Sequence, residues 1–110
     1  MTPPPGNFAV IFSSRQKNLD EAGRAAYGET AMRMLALAAK MPGYLGVESV
    51  RQKDGAGITI SYWESQDAIL NWRKDAEHAE ARRRGKADWY RSYTLLVTRI
   101  ERAYDWQSET

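Results

Sequence analysis

A chain of 110 residues, 43% apolar and 27% charged, fits one domain with a two-layer core and is too short for two independent domains. Its formal net charge of +2 lacks the basic excess of a nucleic-acid-binding face, so no nucleic-acid partner is expected. Cysteine is absent, which excludes disulfides, thiolate catalysis and cysteine-held metals. No basic segment followed by an apolar one opens the chain, and no apolar run approaches the roughly 20 residues that span a bilayer. A cytoplasmic protein without membrane contact is expected.

Residues 1–7 hold three prolines and a glycine, which cannot enter a ladder or helix together, and are expected to be a mobile arm. Phe8–Ser13 is apolar and rich in β-formers, a first strand whose unbroken apolar run suits a central position covered on both faces. Gly23 and Gly28 weaken the next segment, so the first helix is expected from about Tyr27. Tyr27, Ala31, Met34, Leu35 and Ala38 form one helical stripe, widened by Met32 and Leu37. The helix stops at Met41-Pro42-Gly43. Tyr44–Arg51 alternates as a second strand, with Leu45 and Val47 on one face and Tyr44, Glu48 and Val50 on the other.

Residues 52–57, with Asp54-Gly55 and Gly57, form a turn into a third strand, 58–63, so strands two and three are expected to make an antiparallel hairpin. Ser65 is a natural N-cap for a second helix, with Asp67 complementing its dipole and Ala68, Ile69 and Trp72 on its inner stripe. Asp75 is placed to cap a fresh helical segment from Ala76, the alternative being one helix that runs through with a kink; Ala76, Ala79, Ala87 and Tyr90 are expected to face the sheet and Arg82, Arg83 and Arg84 to be solvated. Trp89-Tyr90 closes the helical part, and a long alternating strand is expected over 93–104, its far end passing beyond the monomer's own sheet. Residues 105–110 are a tail, with Trp106 expected either to anchor on a partner subunit or to be disordered.

The order β-α-β-β-α-β is the split pattern of ferredoxin-like α+β domains, with a four-stranded antiparallel sheet and helices on one face. The domain is expected to run over 8–104. Its other sheet face still carries apolar residues, and a second copy is the simplest cover, giving a homodimer.

The run Pro42-Gly43-Tyr44-Leu45-Gly46, followed by Trp63-Glu64-Ser65, Ala68 and Trp72, resembles the antibiotic biosynthesis monooxygenase domain family, whose members form dimeric α+β barrels. Glu77-His78, Gly85, Trp89-Tyr90 and Tyr93 resemble one bacterial branch of it. The resemblance implies a cofactor-independent monooxygenase acting with dioxygen on an aromatic phenol or quinol, with Trp63 in the substrate cavity. The family's polyketide enzymes carry an asparagine at the position of Thr59 and a tyrosine at that of Ile69. The haem-degrading branch, an alternative implying haem as cofactor, uses a tryptophan matching Trp72. It also needs a first-strand asparagine and a histidine, where this chain has Phe12 and Arg82. His78 stands one helical turn too early for that role.

Such chemistry needs aromatic walls and a group that helps deprotonate the substrate. Trp63, Trp72, Thr59, Ile69, Trp89, Tyr90 and Tyr93 are the candidate substrate-binding residues. His78, the one histidine, is the candidate catalytic base. One histidine and scattered carboxylates make no metal set, and no glycine-rich strand-to-helix loop supports nucleotide binding. The second functional reading is a non-catalytic, ligand-binding or stress-related dimer that keeps the barrel without its reactive groups.

Overall fold

The computed structural model describes residues 3–109. Met1, Thr2 and Thr110, parts of the expected arm and tail, lie outside them. The elements run β1 (Phe8–Gln16), α1 (Glu21–Ala38), β2 (Tyr44–Arg51), β3 (Ala56–Trp63), α2 (Gln66–Lys74), α3 (Ala76–Arg84), a π-helical turn (Gly85–Trp89) and β4 (Tyr90–Arg99). The sheet order is β2-β3-β1-β4 with antiparallel pairs throughout, the ferredoxin-like α+β arrangement. β1 lies in the interior of the sheet, as its apolar run implied.

Short-range capping chemistry sets the helix starts. Asp20 Oδ1 accepts from the Gly23 amide at 2.7 Å, Ser65 Oγ from Ala68 at 3.0 Å, and Asp75 Oδ1 from His78 at 3.0 Å. The Asp20 cap corrects the expected start of α1: the helix begins at Glu21, six residues before Tyr27, despite Gly23 and Gly28. The stripe on α1 is narrower than expected, because Met32 is 73% exposed. Within α3 and the π-helical turn, Ala76 and Ala87 are exposed rather than turned to the sheet. Arg82 and Arg84 are half-buried rather than solvated: Arg82 Nη2 donates to the Arg73 carbonyl at 3.0 Å, and Arg84 lies 4.6 Å from the Trp89 ring centre.

Strand register assigns the faces. Trp63 packs with Ala38 of α1 and Ala68 of α2, so its side of β3 faces the helices. Successive cross-strand rows on that side are Tyr44–Trp63–Phe8–Arg99, Val47–Ser61–Val10–Val97, Ser49–Thr59–Phe12–Leu95 and Arg51–Gly57–Ser14–Tyr93. A register shift between Tyr44 and Gly46 puts Tyr44 on the helix side and leaves Glu48 and Val50 on the opposite one. This corrects the expectation that the three share a face. The opposite face carries Val50, Ile58 and Leu96, which are 72%, 45% and 51% exposed.

β4 begins three residues earlier than expected, at Tyr90, and ends at Arg99 rather than near Tyr104. Its end is tied to the N-terminal segment, since Gly6 N donates to the Ile100 carbonyl at 2.9 Å and Ile100 N to the Asn7 carbonyl at 2.8 Å. Beyond it Tyr104 and Trp106 are 86% and 83% exposed. The radius of gyration, 15.0 Å, exceeds the ~13 Å of a compact domain of this length, in keeping with a chain end that stands off the body.

Candidate functional site

The helix-facing side of the sheet ends in two aromatic clusters. The first is built on Trp63, which exposes no surface and donates its indole N–H to Ser61 Oγ at 3.0 Å. Tyr44 meets it edge-on at 5.6 Å, and Trp72 of α2 stacks on it at 6.3 Å. Trp72 in turn carries the His78 ring, 4.1 Å away and within 9° of parallel. Ile69 packs against the same cluster. Two local features hold Trp63 here. Gly43, at φ +84°, turns the chain into β2 where an added Cβ would lie 2.6 Å from Ala68 Cβ. Ser65 starts α2 just beyond, so that Ala68 seats on the indole.

His78 Nδ1 lies 2.9 Å from the Trp72 carbonyl oxygen. A carbonyl only accepts, so Nδ1 carries the hydrogen and the neutral ring keeps its lone pair on Nε2. Burial lowers the pKa below the ordinary histidine range, partly offset by the bond to Trp72 and reinforced by the Arg82 charge. At neutral pH the ring is an uncharged acceptor.

The second cluster gathers at the other end. Phe12 meets Tyr90 at 5.3 Å and Tyr93 at 5.0 Å, while Tyr27 of α1 meets Trp89 at 5.4 Å and Tyr90 at 5.8 Å, both edge-on. Tyr90 Oη donates to Tyr27 Oη at 3.1 Å. Burial first, then that bond, raises the Tyr90 pKa, so its hydroxyl stays protonated. The π-helical turn sets this end: Gly85 lies so close to the Tyr90 ring that an added Cβ would stand 2.9 Å from it, and Lys17 N donates to the Trp89 carbonyl at 2.8 Å. Trp89 is 4% exposed, a buried support rather than an open wall.

Between the clusters the sheet is open along β4, where Tyr93, Leu95 and Val97 are 39%, 45% and 49% exposed. With Val10 and Phe12 of β1 they share the helix side in an open apolar strip about 13 Å long at the strand rise, the candidate trough. Thr59 sits in its middle row, its hydroxyl 2.7 Å from that of Ser49. Trp63 is six residues along β3 from Gly57, the floor of the second cluster, so the two ends are separated by about 20 Å. The expected site residues are therefore not one constellation. Trp63, Trp72, Ile69 and His78 form a closed end, Trp89, Tyr90 and Tyr93 a second end, and Thr59 lies between. Trp63 stands in the core with no surface for a ligand to touch, in place of the cavity wall expected of it.

Two depressions lie elsewhere, neither lined by these residues. One is a groove of about 270 Å³ between α1 and α3, beside Arg33, Met34 and Glu77, and the other an open concavity along Thr98–Arg102. Sequence reading missed Phe12 as a site residue, and it missed Tyr27 and Arg51 at the second end. The available signal was a glycine, Gly57, directly across the hairpin from an arginine.

The fold and these clusters define a ferredoxin-like α+β protein with an aromatic-lined sheet face. A family model described as antibiotic biosynthesis monooxygenase matches residues 12–84. The protein YqjZ of Bacillus subtilis (strain 168), named as uncharacterized, is 50% identical over 109 residues, covering 99% of this chain and 92% of that one. The chain belongs to the antibiotic biosynthesis monooxygenase family, as the Trp63-Glu64-Ser65 and Trp72 pattern implied.

Solved structures share the fold. SnoaB, a cofactor-independent oxygenase from Streptomyces nogalater, aligns with a TM-score of 0.73 at 13% identity, over 89% of this chain and 96% of that one. A protein of Nitrosomonas europaea described as an antibiotic biosynthesis monooxygenase gives 0.73 at 11% identity, over 90% and 94%. A dimeric ferredoxin-like protein of unknown function from Bacteroides fragilis gives 0.68 at 14% identity, over 86% and 97%. Among the described residues, no helix is long and apolar enough to cross a membrane.

The positions where the haem-degrading branch needs an asparagine and a histidine hold Phe12, packed between Tyr90 and Tyr93, and Arg82, bonded to the Arg73 carbonyl. Neither Phe12 nor Arg82 offers an iron ligand.

Proposed function

We propose that this protein is a cofactor-independent monooxygenase of an electron-rich aromatic phenol or quinol, bound in the trough between the two clusters. The open aromatic and aliphatic trough on the helix side of β1 and β4 carries this reading, together with family membership. Phe12, Tyr93, Leu95 and Val97 bury one flat face of a two- or three-ring substrate, with Thr59 in the same row as Phe12 and Leu95. His78 takes the substrate's proton, its tautomer already set by the Trp72 carbonyl. The resulting anion reduces dioxygen directly. With an anthrone, one oxygen atom becomes the new ring carbonyl and the other leaves as water, carrying both hydrogens of the oxidised carbon.

A second copy covers the apolar sheet face on the side away from the helices. The exposure of Val50, Ile58 and Leu96 supports this dimer.

One observation favours the second reading, a binding protein without turnover. The Thr59 hydroxyl is already paired with Ser49, and Ile69 brings no polar group. Oxygen consumption by the metal-free protein with hydroquinones and anthrones separates the two. Uptake above the non-enzymatic rate supports the oxygenase. Binding by tryptophan fluorescence without uptake supports the binding protein and refutes the oxygenase.

A further inference from the structure

Arg51 closes the second end of the trough, and its surroundings are unusual for a half-buried cation. Nη1 donates to the Gly55 carbonyl at 2.6 Å, and Nη2 to Ser14 Oγ at 2.7 Å and Tyr27 Oη at 3.3 Å. The guanidinium carbon lies 5.6 Å and 5.9 Å from the Tyr27 and Tyr90 ring centres. Every one of these partners is neutral. The two ion pairs seen among the described residues, Arg33–Glu77 and Arg83–Glu80, lie elsewhere. A charge withdrawn from water without a counter-charge is costly, and neutral acceptors offset only part of that cost.

The sheet is shaped to hold the group there. Gly57 is buried directly across the hairpin, and a Cβ on it would lie 2.6 Å from Arg51 Cζ and under 3 Å from both terminal nitrogens. Glycine at this position lets the guanidinium lie flat on the strand, under the tyrosines. Tyr27 adds a second donor. Its oxygen accepts from Tyr90 and from Arg51, while its own hydrogen has no acceptor among the described residues. Tyr93, in the same cross-strand row and with its ring 6.1 Å from that of Tyr90, joins this corner to the trough residues.

We infer that Arg51 and Tyr27 form an anion-binding corner that takes a negatively charged oxygen of the aromatic ligand, a phenolate, enolate or ring carboxylate. Arg51 supplies the counter-charge and Tyr27 a directed hydrogen, so the corner selects acidic aromatic ligands over neutral ones of the same shape and fixes which ring end enters. The inference rests on the reading that the trough takes an aromatic ligand.

The test uses the intact protein and two probes of matched shape followed by tryptophan quenching. One is 2-hydroxy-1,4-naphthoquinone, an anion at neutral pH, and the other is neutral 2-methyl-1,4-naphthoquinone. The wild-type protein should prefer the anion at least tenfold, and that preference should fall to near unity in Arg51→Gln. Tyr27→Phe, which keeps the ring and removes the hydrogen, should lower it severalfold. Gly57→Ala, which dislodges the guanidinium with Arg51 unchanged, should lower it as well, so the test survives if Arg51→Gln fails to fold. Equal affinity for the two probes in the wild type overturns the corner and leaves the aromatic trough standing. A preference unchanged in Tyr27→Phe and Gly57→Ala also overturns it. Failure of both probes to bind overturns the trough reading and the corner together.

Discussion

Gly43→Ala tests how the closed end of the site is built. Gly43 has φ +84°, a conformation that costs a side-chain-bearing residue about 1–2 kcal/mol. The new methyl carbon would also stand 2.6 Å from Ala68 Cβ, against an ordinary contact of about 3.4–4 Å. Ala68 is 6% exposed and packed on Trp63, so it has nowhere to retreat, and overpacking of this kind costs about 1–3 kcal/mol. The sum, about 2–5 kcal/mol, is a large share of the ~5–15 kcal/mol that holds a small domain together. Urea unfolding followed by tryptophan fluorescence should show a lower midpoint with an unchanged slope.

The two terms separate in a double-mutant cycle with Ala68→Gly, which removes the clash and leaves the backbone strain. The double variant should be more stable than the sum of the single effects by about 1–3 kcal/mol. A Gly43→Ala protein within about 0.5 kcal/mol of wild type, or a strictly additive cycle, would refute this account of how α2 seats on Trp63.

His78 makes stability and activity depend on pH in one direction. Its folded pKa lies below its unfolded value of about 6.5, so the unfolded chain binds the proton more readily. Its contribution is intact above that unfolded value and is lost as pH falls from there through the folded value. Urea midpoints should drop more steeply between pH 7 and pH 5 in the wild type than in His78→Gln, and parallel profiles would refute the shift. If His78 is the base, the oxygenase rate falls over the same acidic window, and His78→Gln abolishes that limb. An unchanged rate removes it from the reaction and leaves it as a support for Trp72. Sedimentation at micromolar concentration should give a dimer, reduced to monomer by Leu96→Glu on the uncovered sheet face. A wild-type monomer would contradict the proposed cover.

The fold was legible where its causes are local. Ser65 and Asp75 announce their helices because capping depends on a side chain three residues from the amide it binds. The antiparallel hairpin followed from the Asp54-Gly55 turn, and the central place of β1 from its apolar run. Local reasoning failed where distant contacts decide. The glycines of α1 argued for a late start, but the Asp20 cap and the packing of Tyr27 on Trp89 and Tyr90 stabilise its first turns. Tyr44 changed face because of a bulge that a plain alternation conceals.

The site was half legible for the same reason. Trp63, Trp72 and His78 are a genuine cluster, yet nothing in their spacing told that Trp63 would be sealed within the core. Arg51 looked like a strand end. Its importance appears only when the register sets it over Gly57 and α1 brings Tyr27 above it.

The most direct test of the central claim is oxygen-isotope labelling under single-turnover conditions, with an anthrone, labelled dioxygen and protein stripped of metal. The account predicts one labelled oxygen atom in the quinone product, the second in water, and a rate that follows protein concentration. Product formed at the protein-free rate, or carrying oxygen from solvent as its new carbonyl, would contradict it.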